Sequence, residues 1–213
     1  MILYDYYRSS ASYRVRIALN LKRLEYQQVS VNLLQMEHRS AAYLQRNPQG
    51  LVPVLEDDHG LLSQSLAICE YLDEAYPGPK LLPESASGRA RVRCLAQIIA
   101  CEIHPMNNLR ALKYLQGELN ISDDQKAQWY QHWVAEGFAA LEQKLSQDPE
   151  TGKFCQGDQP GLVDLCLVPQ MFNARRFNCE LAAYPTLVRI DSACQQLQAF
   201  AAAHPDRQAD STA

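Results

Sequence analysis

The sequence predicts an α/β domain followed by an all-α domain. The first part of the chain alternates between short β-rich segments and segments with helical spacing, whereas residues after 87 show helical spacing only. Residues 76–83 carry three prolines and a glycine, which interrupt regular structure and indicate a linker. We therefore assign residues 1–78 to the α/β domain, 79–86 to the linker, 87–204 to the helical domain and 205–213 to a flexible tail.

The first domain is predicted to have the order βαβαββα. Strands are expected at residues 2–7, 26–31, 51–55 and 61–62, and helices at residues 12–22, 38–46 and 65–76. The last two strands flank Asp57-Asp58-His59-Gly60, which is typical of a hairpin turn. This order packs helices against a small mixed sheet.

The second domain shows an i, i+3, i+4, i+7 series of apolar residues: Val92, Leu95, Ala96 and Ile99. The helical pattern runs on towards residue 116. Within this stretch Pro105 removes a backbone hydrogen bond, which predicts a kink in the helix. Further helices are predicted around residues 134–145, 162–177 and 185–200. The cap of the helix from residue 162 is Gly161, and we expect Asp164 to reach back to it.

Composition and charge argue against several classes of protein. The net charge of −4 is spread along the chain, unlike the clustered basic face of a nucleic-acid-binding protein. Charged residues within the first twenty positions interrupt the apolar segment that a secretory signal peptide would need. No apolar run approaches the roughly 18 residues of a membrane-spanning helix. Seven cysteines without a C-x-x-C pair favour reduced core thiols over a disulfide framework or a zinc site. We expect a cytoplasmic protein that binds no metal, membrane or nucleic acid.

A serine cluster lies where the first strand leads into the first helix. Ser9, Ser10 and Ser12 can each cap the helix, and capping alone would account for them. A hydroxyl and the free N–H groups of the helix can also bind a thiolate. The hydrogen bond would stabilise the thiolate by about 1.5–3 kcal/mol, and the helix terminus would add about 0.3–1 kcal/mol. Together they would lower the pKa of a bound thiol by about two units and ionise it at neutral pH.

Two further motifs are typical of a peptide-binding site. Pro53 stands directly before a predicted strand, and a cis Val52–Pro53 bond would leave the Val52 backbone free to pair with an extended peptide. Gln64 and Ser65 stand at the start of a helix, where a carboxylate would meet free N–H groups and two side-chain donors. An ordinary helix cap is the alternative interpretation of this pair.

These segments resemble zeta-class glutathione transferases. The similarity is carried by residues 9–19, 47–55 and 64–68, and it extends to residues 103–109, 164–170 and 174–177. It implies the glutathione-transferase fold, in which a thioredoxin-like domain precedes an all-helical domain, and it implies a homodimer. The class includes maleylacetoacetate isomerase and the bacterial maleylpyruvate isomerases, which use glutathione as their cofactor.

The resemblance also implies how glutathione lies. Its γ-glutamyl end would lie at Gln64 and Ser65, and its cysteine backbone at Val52 and Pro53. Its sulfur would lie near Ser9, Ser10 and Ala11. The family often has cysteine where this chain has Ala11, so thiol–disulfide exchange is disfavoured and the serines are left as the activating groups.

Other polar side chains are candidates for contacts with cofactor or substrate. Arginine suits a substrate with two anionic ends, and we assign this role to Arg8, Arg110 and Arg176. His104 and Asn108 are four residues apart in a helical pattern and would share a face, from which they could bind glutathione. His38 is a further candidate for the glycyl carboxylate of glutathione.

The function implied by the resemblance is cis–trans isomerisation of maleylacetoacetate to fumarylacetoacetate, a step of tyrosine and phenylalanine catabolism. Maleylpyruvate isomerisation requires the same chemistry on a shorter substrate, and the sequence does not separate the two. A transferase or dehalogenase for small α-halo acids is a broader alternative. A non-catalytic binding protein on the same fold is disfavoured, because such a protein need not keep the serine cluster or the Gln64–Ser65 pair.

Overall fold

The computed structural model describes residues 1–211 and divides the chain into two compact units. One unit contains Met1–Leu82 together with the chain from Gln195 onward, and the other contains Pro83–Cys194. The division after Leu82 falls within the predicted linker. The C-terminal part differs from the prediction, because residues from 195 onward group with the N-terminal unit and not with the helical one.

The first unit is built on a four-stranded mixed sheet in the order β2-β1-β3-β4. Its strands are β1 (Ile2–Asp5), β2 (Gln27–Ser30), β3 (Val54–Asp57) and β4 (Gly60–Ser63). β1 is parallel to β2 and antiparallel to β3, and β3 is antiparallel to β4. The helices are α1 (Ser10–Leu21), α2 (Ala41–Arg46) and α3 (Ser65–Ala75). This βαβαββα order confirms the predicted thioredoxin-like domain.

Two predicted boundaries shift for local reasons. β3 begins at Val54 and not at residue 51, because Pro53 has no N–H to offer a neighbouring strand. The predicted helix over residues 38–46 is a 3-10 turn (Glu37–Arg39) followed by α2. Ser40 separates them, since its extended backbone ends the turn and its Oγ accepts the Tyr43 N–H at 3.2 Å as the cap of α2.

The sheet packs differently on its two faces, because successive residues of a strand alternate between them. Tyr4 and Val54 form one buried cluster with Val31 and with Tyr43 of α2. Leu3 lies opposite Leu55 in the register of β1 and β3, and both side chains are buried on the other face. The helices α1 and α3 pack against each other.

The chain from residue 195 onward is fixed to the N-terminal unit. The predicted helix over residues 185–200 is two helices, α9 (Pro185–Gln195) and α10 (Gln198–Ala203), because the backbone is extended at Leu197. α10 packs on α1, where Asn20 Nδ2 donates to the Ala199 carbonyl at 3.0 Å. Part of the predicted flexible tail forms a further 3-10 turn (Pro205–Arg207), and its last residues, 212 and 213, lie outside the described residues.

The regular elements of the second unit are all helices. It contains α4 (Ala86–Gln97), a π-helical segment (Ile98–Ile103), α5 (His104–Asn107), α6 (Leu109–Gly117), α7 (Asp123–Gln147), α8 (Leu162–Arg176) and most of α9. Within residues 1–211, none of the helices combines the length and the apolar character that crossing a bilayer requires.

The irregularity predicted at Pro105 takes the form of a π-helical segment. The segment spans Ile98–Ile103, directly before Pro105 enters the first turn of α5. Proline offers no N–H to the preceding turn, and wider i to i+5 spacing is one way for a helix to absorb the missing bond. α5 is short and ends at Asn107, and Asn108 then caps α6 with its Oδ1 on the Ala111 N–H at 3.0 Å.

A buried carboxylate fixes the start of α8. Asp164 accepts the N–H of Gly161 at 2.8 Å and the N–H of Cys155 at 3.0 Å, which confirms that it reaches back to the cap position. Burial raises the pKa of Asp164, while these two backbone donors act in the opposite direction. The same side chain therefore joins the loop before α8 to the helix itself.

We expect Asp164→Ala to lower the free energy of unfolding by about 3 kcal/mol, since two buried N–H groups would lose a charged acceptor. Asp123→Ala is the matched control, because this first-turn aspartate of α7 has a side chain that is 85% exposed and its loss should change stability by no more than about 0.5 kcal/mol. Urea unfolding followed by circular dichroism measures both. Equal stability of the two variants would contradict the assigned role of Asp164.

Candidate active site

Three segments meet at one end of the sheet because of the strand directions. Tyr4 of β1 lies opposite Val54 of β3, so the end of β1 lies beside the start of β3. Ser63 of β4 also pairs with Val54, so β4 ends at the same place. The segments that follow β1, precede β3 and follow β4 contain Ser9, Val52 and Gln64 respectively. The predicted glutathione-contacting residues of this unit thus come from neighbouring loops.

Ser9 is the N-cap of α1. Its Oγ accepts the Ser12 N–H at 3.2 Å, and its carbonyl accepts the Tyr13 N–H at 2.8 Å. Within the described chain the Ser9 hydroxyl hydrogen has no acceptor, so it can donate to a ligand. Capping and ligand binding are therefore compatible at this residue. Ser10, which is buried, and Ala11 follow as the first helical residues, and their N–H groups precede the first hydrogen bond of the helix.

The turn before α1 is held at the peptide groups of Tyr7. Arg16 Nη2 donates to the Tyr7 carbonyl at 2.9 Å, and the Tyr7 N–H donates to the Asp210 carboxylate at 3.0 Å. Sequence reasoning missed Asp210, which is 203 residues away along the chain and stands in a polar tail with no motif. The position of the serine cluster thus depends on both ends of the first unit.

The Arg8 side chain lies over the same turn. Its Nη2 is 3.4 Å from the hydroxyl of Tyr6, and its guanidinium carbon is 5.3 Å from the ring centroid of Tyr7. Burial raises the pKa of the Tyr6 hydroxyl, and Arg8 opposes this effect. Arg8 as a residue is only partly buried, so it can bind an anion next to the serines.

The Val52 backbone is presented by a braced loop. The carbonyl of the preceding residue, Leu51, accepts from the Tyr43 hydroxyl at 2.7 Å and from Asn47 Nδ2 at 2.8 Å. The Val52–Pro53 bond is cis. In residues 1–211 neither the N–H nor the carbonyl of Val52 takes part in a hydrogen bond. An extended peptide can therefore pair with Val52 as an added strand.

Gly50 brings this loop close to His38. Its φ is +59°, and a Cβ at this position would lie 2.9 Å from the His38 carbonyl and 2.9 Å from Nη1 of Arg39. Only glycine fits such a contact without displacing the backbone. His38 is buried in the 3-10 turn beside the loop, so it lies on the side of the site that carries Val52.

Gln64 and Ser65 occupy the start of α3 in an unusual backbone conformation. Gln64 has φ 73° and ψ 109°, a region that residues with side chains rarely adopt and that is concentrated at functional sites. Its Nε2 donates to Gln49 Oε1 at 2.9 Å. Gln49 lies in the same motif as Val52, but it was not assigned from the sequence. Ser65 is buried, and its Oγ accepts from Arg14 Nη1 at 3.2 Å.

In the helical unit, the chain neighbours of two candidate residues, Asn108 and Arg176, contact Tyr130 of α7. Asn107, next to Asn108, donates from Nδ2 to the Tyr130 carbonyl at 3.2 Å, and Phe177 stacks on the Tyr130 ring at 3.7 Å between centroids. Arg176 lies over Phe177 at 4.9 Å. Arg175, its neighbour, pairs with Asp191 instead.

The helical face predicted to carry both His104 and Asn108 does not continue to Asn108, because the backbone there is extended with ψ 161°. His104 opens α5, and Asn108 is engaged as the cap of α6. Arg110 is exposed on α6 and forms no ion pair with any described residue. The prediction that His104 and Asn108 share a face was wrong, because it was based on one continuous, kinked helix through Pro105 and not on two separate helices.

Comparison with known proteins identifies the family. Residues 3–80 match the model of the glutathione S-transferase N-terminal domain. The maleylacetoacetate isomerase of Rhizobium meliloti is 51% identical over 206 residues, which cover 97% of this chain and 96% of the relative. A maleylpyruvate isomerase described as a bacterial zeta-class glutathione transferase superimposes with a TM-score of 0.97 at 46% identity, with each chain covered completely. The chain belongs to the zeta-class glutathione transferases.

A second structure of this class was solved with ligands. The maleylacetoacetate isomerase of Methylobacterium extorquens AM1, with bound malonate and glutathione, has a TM-score of 0.97 and 40% identity, and both chains are covered completely. The predicted fold, an N-terminal thioredoxin-like domain followed by a helical part, is confirmed by these zeta-class structures.

The first unit offers a set of donors suited to an extended, anionic peptide. Ser9 supplies a hydroxyl at the start of α1, and Val52 supplies a free peptide group. Gln64 and Ser65 stand at the start of α3, where the first N–H groups of a helix attract anions. These groups can donate hydrogen bonds to a carboxylate at the start of α3 and to an anionic group at the start of α1.

Proposed function

We propose that this zeta-class transferase is a glutathione-dependent cis–trans isomerase that converts maleylacetoacetate to fumarylacetoacetate. The observation that carries the proposal is the convergence of Ser9, Val52 and Gln64 at one end of the sheet, where α1 and α3 both begin. The Rhizobium meliloti relative, which matches over nearly its whole length, carries the name of this activity.

The residues present fit glutathione. The Val52 N–H can donate to the cysteine backbone of glutathione and the Val52 carbonyl can accept from it, as in a short pair of strands, with Pro53 directly after Val52. Gln64 and Ser65 can bind the γ-glutamyl group, and His38 the glycyl carboxylate. We propose that His104 and Asn108 of the helical unit add further polar contacts to glutathione.

The chemistry requires an ionised thiol at the start of α1. Glutathione, held at Ser9, Val52, Gln64 and Ser65, would supply the thiolate for reversible addition to the cis double bond, which permits rotation and leaves glutathione unconsumed. Ser9 can donate its hydroxyl hydrogen to the sulfur, and the N–H groups of Ser10 and Ala11 add the positive end of the helix. Both serines are proposed as catalytic, and the geometry favours Ser9 as the direct donor.

The substrate has two anionic ends, which we assign to three arginines. Arg8 lies next to the serine cluster and can stabilise the negative charge that develops on the substrate oxygens. Arg110 and Arg176 are proposed to bind carboxylate groups. Because guanidinium groups bind carboxylates through two parallel hydrogen bonds, lysine at these positions would be a poorer substitute.

Turnover of maleylacetoacetate to fumarylacetoacetate with and without glutathione tests the proposed function. We expect activity only with glutathione, no net consumption of the thiol, and faster turnover of maleylacetoacetate than of maleylpyruvate. A preference for maleylpyruvate would assign the shorter substrate. Net loss of glutathione with α-halo acids, and no isomerisation, would assign a transferase or dehalogenase instead.

Ser9→Ala should raise the pKa of the bound glutathione thiol by about one to two units, because a hydrogen bond that stabilises the thiolate is lost. Activity at neutral pH should fall with the ionised fraction and recover as the pH rises through the new pKa. Ultraviolet absorbance of the thiolate, titrated in the complex, measures the shift. Ser87→Ala, at an exposed serine of α4, is the control and should leave the thiol pKa unchanged. An unchanged pKa in Ser9→Ala would contradict the assigned role.

We further propose that the chain works as a cytoplasmic homodimer, as the resemblance to zeta-class transferases implies. Light scattering should then give twice the chain mass of 24.1 kDa. A mass equal to one chain at working concentration would refute the dimer, and recovery in a membrane fraction would refute the location.

A further inference from the structure

Arg14 is a buried cation with no acidic partner in the part of the chain that the structure describes. The residue is only 2% exposed, on α1 where it faces α3. Its Nη1 donates to Ser65 Oγ at 3.2 Å. Its Nε and Nη2 atoms are buried and have no hydrogen-bond partner among residues 1–211, and no described carboxylate forms an ion pair with it.

Arg16, two residues further along the same helix, is a buried arginine whose guanidinium donors have hydrogen-bond partners. It donates to Asp5, to the Tyr7 carbonyl and to the Ala203 carbonyl. An arginine that is buried without such partners is costly, because its desolvation is not compensated. Among the described residues, the charge of Arg14 is therefore left unbalanced, and its hydrogen bond to Ser65 links it to the start of α3.

The Arg14–Ser65 contact also orients a donor. Because Ser65 Oγ accepts from Arg14, the hydroxyl hydrogen of Ser65 is directed elsewhere, and Ser65 is the first residue of α3. Among residues 1–211, the cap residue Gln64 makes no side-chain hydrogen bond to this helix start, so the first N–H groups of α3 can bind a ligand. A buried cation, an oriented hydroxyl and a helix terminus of positive potential thus coincide at one point.

We propose that Arg14 is the positioning residue for the α-carboxylate of the γ-glutamyl group of glutathione. It acts through Ser65, whose hydroxyl it directs to the carboxylate, and through its uncompensated charge behind the start of α3. This inference rests on the proposed use of glutathione. It assigns to Arg14 the recognition of one chemical group of the ligand, and not merely the packing of α1 on α3.

The test is a calorimetric titration with two ligands: glutathione, and an analogue in which 4-aminobutyrate replaces the γ-glutamyl residue and so removes only the α-carboxylate. Arg14→Met removes the charge and keeps an apolar stem, and Arg14→Lys keeps the charge. Arg23→Met, at an exposed residue just beyond the other end of α1, is the matched control. Arg14→Gln serves as the neutral variant if Arg14→Met does not fold, and thermal unfolding is followed for all variants.

We expect Arg14→Met to weaken glutathione binding by about tenfold to a hundredfold, as for a lost hydrogen bond to a charged group. Binding of the analogue, already weaker in the unmodified protein, should change less than threefold, because the group that Arg14 recognises is absent. Arg14→Lys should recover part of the loss, and Arg23→Met should bind both ligands normally.

Equal losses for both ligands in Arg14→Met or Arg14→Gln would overturn the inference and leave Arg14 with a structural role only. Normal glutathione binding in these variants would overturn it as well. Failure of the unmodified protein to bind glutathione would instead overturn the proposed function together with this inference. The unmodified protein therefore distinguishes the two failures.

Discussion

The ion pair between Asp5 and Arg16 is the interaction on which the candidate site depends. Both side chains are fully buried, and Arg16 Nη1 lies 2.7 Å from Asp5 Oδ2. Burial raises the pKa of Asp5, whereas Arg16 and Gln28 lower it. The same guanidinium holds the Tyr7 carbonyl and the Ala203 carbonyl. Loss of either partner of a buried pair typically costs about 3–5 kcal/mol, and here it would also release the turn that sets the start of α1.

Strand direction then determines where the other ligand-binding groups lie. A chain that passes from β1 into α1 presents a helix terminus at the carboxyl end of β1, and β3, running the opposite way, begins at that same end. The hairpin returns β4 there, so α3 starts next to α1. The positive φ of Gln64 allows the abrupt change from strand to helix. Two helix termini and one unpaired peptide group are thereby brought together by topology alone.

Local patterns predicted the parts of this arrangement that depend on nearby residues. The βαβαββα order, the serines before α1 and the reach of Asp164 to Gly161 all follow from spacing over a few residues. Long-range contacts left no such pattern. Arg14 and Ser65 are 51 residues apart, and nothing near either of them marks the other as its partner. The C-terminal segment was assigned to the helical domain and a tail, because neither the helical pattern over residues 185–200 nor the polar tail reveals that Asp210 accepts the Tyr7 N–H.

The two buried arginines of α1 differ in how their charges are balanced. The charge of Arg16 is balanced by Asp5, whereas within the described residues that of Arg14 is not balanced, so the first half of α1 retains one net buried positive charge. A buried charge without a counter-ion lowers the stability of the ligand-free protein, and under the proposed role of Arg14 it would strengthen binding of a negatively charged ligand. Under the proposed role of Arg14, a neutral residue at this position would give a more stable ligand-free protein that binds anionic ligands more weakly.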